Sequence, residues 1–318
     1  MSSGAAKLKA FAGKQNSSLV LLIVFLIISR LLSPQFLSFQ NLLNILWGIS
    51  ALGIVALGQT ILMITGNFDM SVAYIVGLSG ITAVMSQIAG ASLAASIALG
   101  LAVGVLVGLL NGAIVVFTKA NAFLITLGTS ILVYSVNLIL TKSKTWSVKI
   151  EDFLILGRGK LFGVVHYSVI IFLVLAVILY IFLRKTVTGR YLYIIGLNKK
   201  VAQLTGININ AIVLGTYALC GFTAALAGLI MTARTGSTVA NAGVGMDFDS
   251  MIASVLGGAS LFGGRGHTLY TVVGMLILGI LNNILILINF PYEAQQIAKG
   301  LVFIIVVWAD GFSRKERI

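Results

Sequence analysis

Residues 92–117 read SLAASIALGLAVGVLVGLLNGAIVVF, a run that contains no charged side chain. A helix needs about 20 predominantly apolar residues to cross the hydrocarbon core of a bilayer, so this run is long enough. Within it, Gly100, Gly104, Gly108 and Gly112 recur every four residues and therefore lie on one helix face. A strip of glycines lets a second helix approach closely, which predicts a tightly packed helix pair inside a membrane.

The whole chain has the character of this run. Of its 318 residues, 59% are hydrophobic and only 9% are charged, and the mean hydropathy is +1.09. Because soluble domains carry roughly 25% charged residues, this composition excludes a soluble enzyme, a nucleic-acid-binding domain and a disordered chain. One cysteine excludes an internal disulfide, and two distant histidines form no metal-binding pattern. We expect an all-α polytopic membrane protein without catalytic residues, cofactor or metal.

Hydrophobic segments of spanning length recur along the chain. The ten predicted spans are 17–32, 45–65, 72–89, 92–117, 122–140, 165–183, 209–232, 250–262, 268–289 and 295–309. Residues 1–318 then form a single transmembrane domain. Lysines precede the first span, but no small-residue cleavage site follows it, so we expect an uncleaved helix there and not a signal peptide.

The net charge of +13 arises from 21 Lys/Arg and 8 Asp/Glu residues. In a membrane protein such an excess is typical of cytoplasmic loops, where basic residues concentrate. With both termini in the cytoplasm, 13 of the 21 basic residues fall inside, among them the cluster at 184–200. The basic loop at 141–164 then lies outside, because a single span separates the two clusters.

Short motifs recur in the same order in the two halves of the chain. FDMS at 68–71 matches FDSM at 248–251, and GLLN at 108–111 matches GILN at 279–282. In the predicted topology the two Phe-Asp motifs lie on opposite faces of the membrane. The halves, about 45–140 and 209–310, are therefore predicted to form an inverted repeat, an arrangement that many transporters use.

Polar side chains near the spans are the candidates for a translocation pathway. Acids in a membrane protein point to function, yet Asp at a helix start is also a common N-cap, so both interpretations stay open. Neutral amides suit a hydroxyl-rich cargo and also serve as interhelical hydrogen bonds. The candidates are Asn67, Asp69, Asn111, Phe123, Thr126, Asp249, Asn282 and Asn283. None of the eight acids lies in the middle of a predicted span, which disfavours ion-driven transport.

The glycine-rich stretch at 257–266, GGASLFGGRG, lacks the GxxxxGK[ST] pattern, as does the rest of the chain, so no P-loop ATPase is expected. The inside loop at about 184–208 predicts a short helix, with Asn198 as N-cap and Gly206 as the stop. This helix either docks into a partner's groove or lies on lipid with Lys199 and Lys200 on anionic headgroups. The residues alone leave both possibilities open.

Five ordered blocks, spread over about 18–310, resemble the permease subunits of ribose-type sugar ABC importers. The blocks are LSPQF at 32–36, GNFDMSV at 66–72, FLITLG at 123–128, the stretch from GRY at 189–191 to TGI at 205–207, and LGGASLFGGRG at 256–266 followed by LGILNN at 278–283. Asn67 and Ala73 depart from the family pattern, which usually has glycine at both positions.

The resemblance implies the ABC importer permease fold, a place in the bacterial cytoplasmic (inner) membrane and a pathway for a monosaccharide such as ribose. The implied partners are ABC ATPase subunits inside, a periplasmic or lipid-anchored sugar-binding protein outside, and a second permease, identical or related. Membrane lipid surrounds the chain, and no nucleic acid is expected. The implied ATPase-coupling residues are Gly189, Arg190, Asn198, Lys199, Lys200, Ala202, Leu204 and Gly206.

Three alternatives to a sugar permease accompany this interpretation. A related ABC permease could carry nucleosides or branched-chain amino acids. An ion-coupled secondary carrier would instead need an acid at mid-membrane, and a membrane-embedded enzyme would need a buried cluster of acid, histidine or metal ligands.

Overall fold

The computed structural model describes residues 14–315, and helices form nearly all of its regular structure. The first five helices are α1 (Lys14–Leu32), α2 (Phe39–Ile64), α3 (Val72–Ile88), α4 (Leu93–Thr118) and α5 (Ala122–Thr141). Hydroxyl or amide side chains begin three of them. Ser38, Ser92 and Asn121 accept backbone N–H groups from the first turns of α2, α4 and α5, which have no partner within the helix.

The connection after α5 contains only short elements. These are β1 (Trp146–Ser147), a 3₁₀ turn (Glu151–Leu154), α6 (Ile155–Arg158), β2 (Lys160–Leu161) and β3 (Val165–His166). Strands β2 and β3 pair antiparallel, with Lys160 opposite His166.

The second half of the chain repeats the pattern of long helices with short pieces between them. Its elements are α7 (Tyr167–Lys185), α8 (Val187–Leu197), α9 (Lys199–Leu204), α10 (Ile209–Thr235), β4 (Ser237–Thr238), α11 (Met246–Leu256), α12 (Thr268–Leu287) and α13 (Tyr292–Lys315). Strand β4 pairs antiparallel with β1, with Trp146 opposite Thr238. The predicted all-α architecture therefore holds for the bundle, and the two small ladders are confined to its connections.

Six helices in the described part of the chain are long and apolar enough to cross a membrane: α2, α4, α5, α7, α10 and α12. Two shorter apolar helices, Ser18–Leu32 and Val72–Ile88, accompany them. Every predicted span overlaps a helix, but the predicted span 250–262 is wrong in extent. Helix α11 ends at Leu256, and the residues that follow include Gly258, Gly263 and Gly264 with φ of +87°, +89° and +74°, a conformation that only glycine adopts without strain. The count of ten crossings stays a prediction.

Helices α2 and α10 occupy the centre of the bundle. Most of the side chains of α2 between Ile49 and Ile64 are buried, and α10 is buried along much of its length. Helix α10 packs against α2, α3 and α4, while α2 packs against α11, α12 and α7. The principal apolar core lies among these helices.

The glycine strip of α4 contacts α10, which confirms the predicted close helix pair. A Cβ atom built on Gly108 would lie 2.3 Å from the carbonyl oxygen of Tyr217, and one on Gly104 would lie 2.6 Å from that of Gly221. In the other direction, a Cβ on Gly221 would lie 2.1 Å from the carbonyl oxygen of Gly104. The two backbones therefore touch directly, and no larger residue fits between them.

Two sets of contacts define the ends of the bundle. At one end, which we call the α9 end, Gly264 N donates to Ile64 O over 2.8 Å, and α8 lies against the same atoms. At the opposite end, the side-chain amides of Asn41 in α2 and Asn283 in α12 donate to each other over 2.8 and 2.9 Å. Helix α10 runs the length of the bundle between them, about 40 Å at 1.5 Å per residue.

The α4–α10 contact gives a first prediction. Gly108→Ala places a methyl group against the Tyr217 carbonyl, which should destabilise the protein by about 1–3 kcal/mol, the usual cost of overpacking. We expect a lower midpoint of thermal unfolding in detergent. Gly128→Ala on α5 is the matched control, because its Cβ would have no neighbour within 4 Å. Equal midpoints for the two variants would contradict the close contact.

Candidate translocation pathway and coupling surface

The seven residues Thr65–Ser71, which we call the Asp69 turn, connect α2 to α3 inside the bundle. Gly66, the second residue of the turn, has a φ of +78°, and Asp69 and Ser71 are fully buried. Irregular backbone within a membrane bundle has no water to bind, so its N–H and C=O groups need partners from neighbouring helices. The surrounding helices provide these partners with polar side chains.

Gln59 of α2 and Thr126 of α5 bind the backbone of the Asp69 turn. Gln59 Nε2 donates to Asp69 O over 3.2 Å, and Asp69 N donates to Gln59 Oε1 over 3.3 Å. Met70 N donates to Thr126 Oγ1 over 3.1 Å. One amide therefore satisfies both main-chain groups of Asp69, and α5 is held to the same turn.

The carboxylate of Asp69 is bound by neutral donors. Its Oδ1 accepts from Ser71 N at 2.7 Å and from Ser71 Oγ at 2.6 Å, while Asn111 Nδ2 lies 3.2 and 3.1 Å from its two oxygens. No cationic side chain in the described range 14–315 pairs with it. Asn111 also donates to Ser71 Oγ over 2.9 Å, so α4 is tied to the turn.

Helix α10 contributes residues that the sequence did not suggest for this cluster. Tyr217 Oη donates to Phe68 O over 3.4 Å, and Cys220 Sγ donates to Gln59 Oε1 over 3.4 Å. Both residues are fully buried and lie three positions apart, hence on one helix face. That spacing was the only signal in the sequence, and it does not distinguish a polar contact from ordinary core packing.

Five predicted site residues therefore meet at the Asp69 turn. Asp69, Asn111 and Thr126 bond to it or within it. Asn67 donates to Thr65 Oγ1 over 2.9 Å, and the rings of Phe68 and Phe123 lie 6.0 Å apart. The capping prediction holds only in part, because Asp69 closes the turn in front of α3 and does not bond to the first turn of that helix.

Asp249 lies elsewhere, and the capping interpretation is wrong for it. It sits inside the first turn of α11, which begins after Gly245 at a φ of +87°. Lys299 Nζ of α13 donates to Asp249 Oδ2 over 2.8 Å, in an ion pair whose side chains are 20% and 18% exposed. Beside it, the rings of Phe248 and Phe303 meet edge to face at 5.6 Å. The pair joins α11 to α13.

Asn282 and Asn283 lie at the end of the bundle opposite α9. Asn283 is engaged in the reciprocal amide pair with Asn41 and therefore has a structural role. Asn282 lines a cavity of about 310 Å³ together with Asn44 and Arg234, and its side chain makes no hydrogen bond to any residue in the described range 14–315. The predicted pathway residues thus fall into three separate places.

The short helix predicted between Asn198 and Gly206 is confirmed as α9. Asn198 Oδ1 accepts from Lys200 N at 3.0 Å and from Val201 N at 3.2 Å, and Gly206 follows the helix with φ of +75°. The preceding helix α8 was not predicted. Thr186 caps it by accepting from Gly189 N at 2.9 Å. The basic and polar residues around Thr186 made this start of a helix hard to detect in the sequence.

Helices α8 and α9 present apolar and basic side chains outward. Leu204 is 88% exposed and Leu197 is 71% exposed, while Arg190, Lys199 and Lys200 are also exposed. Ala202, in contrast, is fully buried in a small cluster with Ile195 and Ile207, which fixes the helix on the bundle. The exposed leucines that end α8 and α9, beside the anchored Ala202, make a surface suited to a partner's groove.

Helix α8 connects this surface to the rest of the bundle. Tyr193 Oη donates to Gly266 O over 2.9 Å, at the end of the glycine-rich stretch 257–266. Burial raises the pKa of Tyr193, so its phenol stays protonated and remains a donor at neutral pH. Gly196 lies so close to Ile64 O and Gly264 N that a Cβ would clash with both.

Similarity to known proteins identifies the protein family of this chain. Residues 41–307 match the model of the family described as branched-chain amino acid transport system / permease component. The ribose import permease protein RbsC of Haemophilus influenzae is 37% identical over 96% of this chain and 95% of its own length. That of Bacillus subtilis is 37% identical over 91% and 90%. The L-arabinose transport system permease protein AraH of Escherichia coli is 33% identical over 99% and 97%. No solved structure gave a significant match.

The family model covers most of the chain, and the relatives align with it over nearly their full length. The spanning-length helices agree with this result, since they make a multi-pass membrane protein. The chain therefore belongs to the family of permease components typified by the branched-chain amino acid transport system.

Proposed function

We propose that this chain is the permease subunit of an ATP-driven importer for a monosaccharide of the ribose class. The observation that carries the proposal is the combination of sugar permeases among its relatives with the anchored, outward-facing surface of α9. Partner ATPase subunits would dock on α9, a sugar-binding protein would deliver the cargo at the opposite end, and a second permease would complete the pathway.

The α9 surface supports the coupling role more than a lipid-surface role. Between Arg184 and Gly206 the chain has five basic residues and no acidic one, which both partners would accept. However, Leu204 at the end of α9 and Leu197 at the end of α8 are 88% and 71% exposed, while Ala202 anchors α9. Projecting leucines at a short helix end fit a concave protein groove, whereas a flat membrane surface favours a continuous apolar stripe.

The packing of the helices supports ten crossings, cytoplasmic termini and the inverted repeat. Helix α10 packs on α3 and α4 much as α2 packs on α11 and α12. In each half a Phe of the Phe-Asp motif contacts a Phe on the last helix: Phe68 with Phe123, and Phe248 with Phe303. An inverted repeat would place these two contacts toward opposite faces of the membrane.

This arrangement suggests how alternating access works in the chain. The Asp69 turn would hold α5, and the Asp249–Lys299 pair would hold α13, to two different parts of the bundle. A movement of α9 would displace the adjoining α8. Because Tyr193 of α8 bonds to Gly266, the stretch 257–266, which links α11 to α12, would move with it. The binding protein selects the sugar, which explains why the pathway needs few polar side chains.

The second candidate function is transport of branched-chain amino acids, which the family description favours. Uptake decides between them. In proteoliposomes with the cognate ATPase and binding protein, we expect ATP-dependent uptake of ribose or another monosaccharide and none of leucine. Leucine uptake would establish the alternative, and uptake by this chain alone in an ion gradient would contradict the importer proposal.

The coupling role of α9 predicts the effect of Leu204→Glu. The residue is 88% exposed, so folding should be unchanged, while a carboxylate in a partner's apolar groove should reduce ATPase co-purification and uptake by at least about tenfold. Phe162→Glu is the control, because Phe162 is 92% exposed and lies in the connection between β2 and β3. Unchanged ATPase binding by the Leu204 variant would rule out this surface.

The Asp249–Lys299 pair predicts a charge-swap result. Asp249→Lys or Lys299→Asp alone should repel α13 from α11 and lower ATP-dependent uptake several-fold, whereas the double swap should restore most of it. Glu151→Lys, an exposed acid, controls for net charge. A double variant no better than either single variant would show that the ion pair does not matter for transport.

A further inference from the structure

The cavity lined by Asn282 contains a positive charge without a matching negative one. We call it the Arg234 cavity; its volume is about 310 Å³, and its polar lining consists of Arg234, Asn44, Asn282 and Asn283. The other lining residues are apolar side chains or glycine, and none carries a carboxylate. Among the side chains that the structure describes, no acidic one forms an ion pair with Arg234.

The guanidinium of Arg234 is held in place but only partly satisfied. Its Nη1 donates to Trp47 O over 3.3 Å, and its Cζ lies 4.0 Å above the centre of the Trp47 ring. No other acceptor for its five N–H groups occurs in the part of the chain that the structure describes. Arg158 Nε donates to the main-chain oxygen of Arg234 over 2.9 Å, which ties α6 to the last turn of α10.

The surroundings exclude a sugar ring stacked on the nearby tryptophan. His166 stacks on Trp47 with ring centres 4.1 Å apart and planes 6° apart. Because two groups cannot both lie about 4 Å from one ring centre on the same side, His166 and Arg234 must cover opposite faces. The indole N–H of Trp47 is also taken, by Gly157 O at 3.0 Å. The groups that can still bind a ligand are the guanidinium of Arg234 and the side-chain amides of the cavity.

The polar lining of the cavity lies near the ends of three helices of spanning length. Arg234 lies in the last turn of α10, Asn44 in the first two turns of α2, and Asn282 in the last two turns of α12. These are helix ends at the side of the bundle remote from α9. Arginine and amide side chains at the ends of spanning helices lie where the polar headgroups of the lipids lie.

We propose that the Arg234 cavity binds a phosphate group. Arginine presents a planar fork that matches phosphate oxygens in a bidentate manner, and neutral amide donors complete such sites without competing charge. Asn283 is occupied by Asn41, so Arg234, Asn282 and Asn44 would make the contacts. The phosphate could be supplied by a lipid headgroup or by a free anion, and the experiment separates these two sources.

The test uses the purified full-length chain in a neutral detergent. Native mass spectrometry and the thermal unfolding midpoint are followed with a short-chain phosphatidylglycerol, inorganic phosphate or ribose. We expect the phospholipid to bind and raise the midpoint. If inorganic phosphate raises the midpoint as much as the lipid does, the ligand is a free anion. If only the lipid raises the midpoint, the ligand is a lipid headgroup.

Two variants and one control make the result specific. Arg234→Gln should weaken binding at least about tenfold, since a charge-assisted hydrogen-bond pair is lost. Arg234 also contacts Trp47, so its substitution can disturb the fold, and Asn282→Asp provides an independent test. The side chain of Asn282 has no hydrogen-bond partner within the described range 14–315. A carboxylate at this position should repel phosphate but still accept hydrogen bonds from a hydroxyl-rich ligand. Lys144→Gln, at an exposed basic residue between α5 and β1, should bind as the unaltered protein does.

Binding unchanged in both Arg234→Gln and Asn282→Asp would overturn the proposal. The proposal would also be overturned if ribose, and not phosphate, raised the unfolding midpoint and did so in the Asn282→Asp variant as well. That result would assign the cavity to a sugar. Neither result depends on the ATPase or on transport, so the site is tested separately from the proposed importer function.

Discussion

The need to satisfy backbone groups inside a membrane bundle governs the first half of this structure. Between α2 and α3 the chain turns through seven residues of irregular backbone, five of which are buried. In lipid each unsatisfied group costs several kcal/mol, so the turn exists only because other helices bond to it. Gln59, Asn111, Thr126 and Tyr217, from α2, α4, α5 and α10, meet there. The turn therefore acts as a fixed point around which these four helices are arranged.

Close backbone contact provides the second constraint, and it complements the first. The glycines of α4 allow α10 to come near enough for Asn111 and Tyr217 to approach the Asp69 turn from two sides. Gly228 of α10 does the same toward Val76 in α3. Apolar burial gives little preference among helices in lipid, so these small residues and the buried hydrogen bonds together determine which helices become neighbours.

The long helices and the short α9 could be predicted from the sequence, because hydrophobic runs and cap residues are local signals. The start of α2 was placed six residues late, since Gln40, Asn41 and Asn44 lower its hydropathy although Ser38 caps it. Helix α8 was missed for a similar reason. The partners of the predicted site residues could not be derived at all. Asp249 pairs with Lys299, fifty positions away, and nothing in either local sequence indicates that contact.

The contact of Gly196 with both Ile64 and Gly264 makes α8 part of a three-way joint. Ile64 ends a helix of the first half, and Gly264 lies between two helices of the second. These backbone atoms are in direct contact without intervening side chains. Because no side chain can change rotamer between them, a displacement of one segment displaces the others. Any shift of α8 is thus shared at once between both halves of the chain, and neither half can follow it alone.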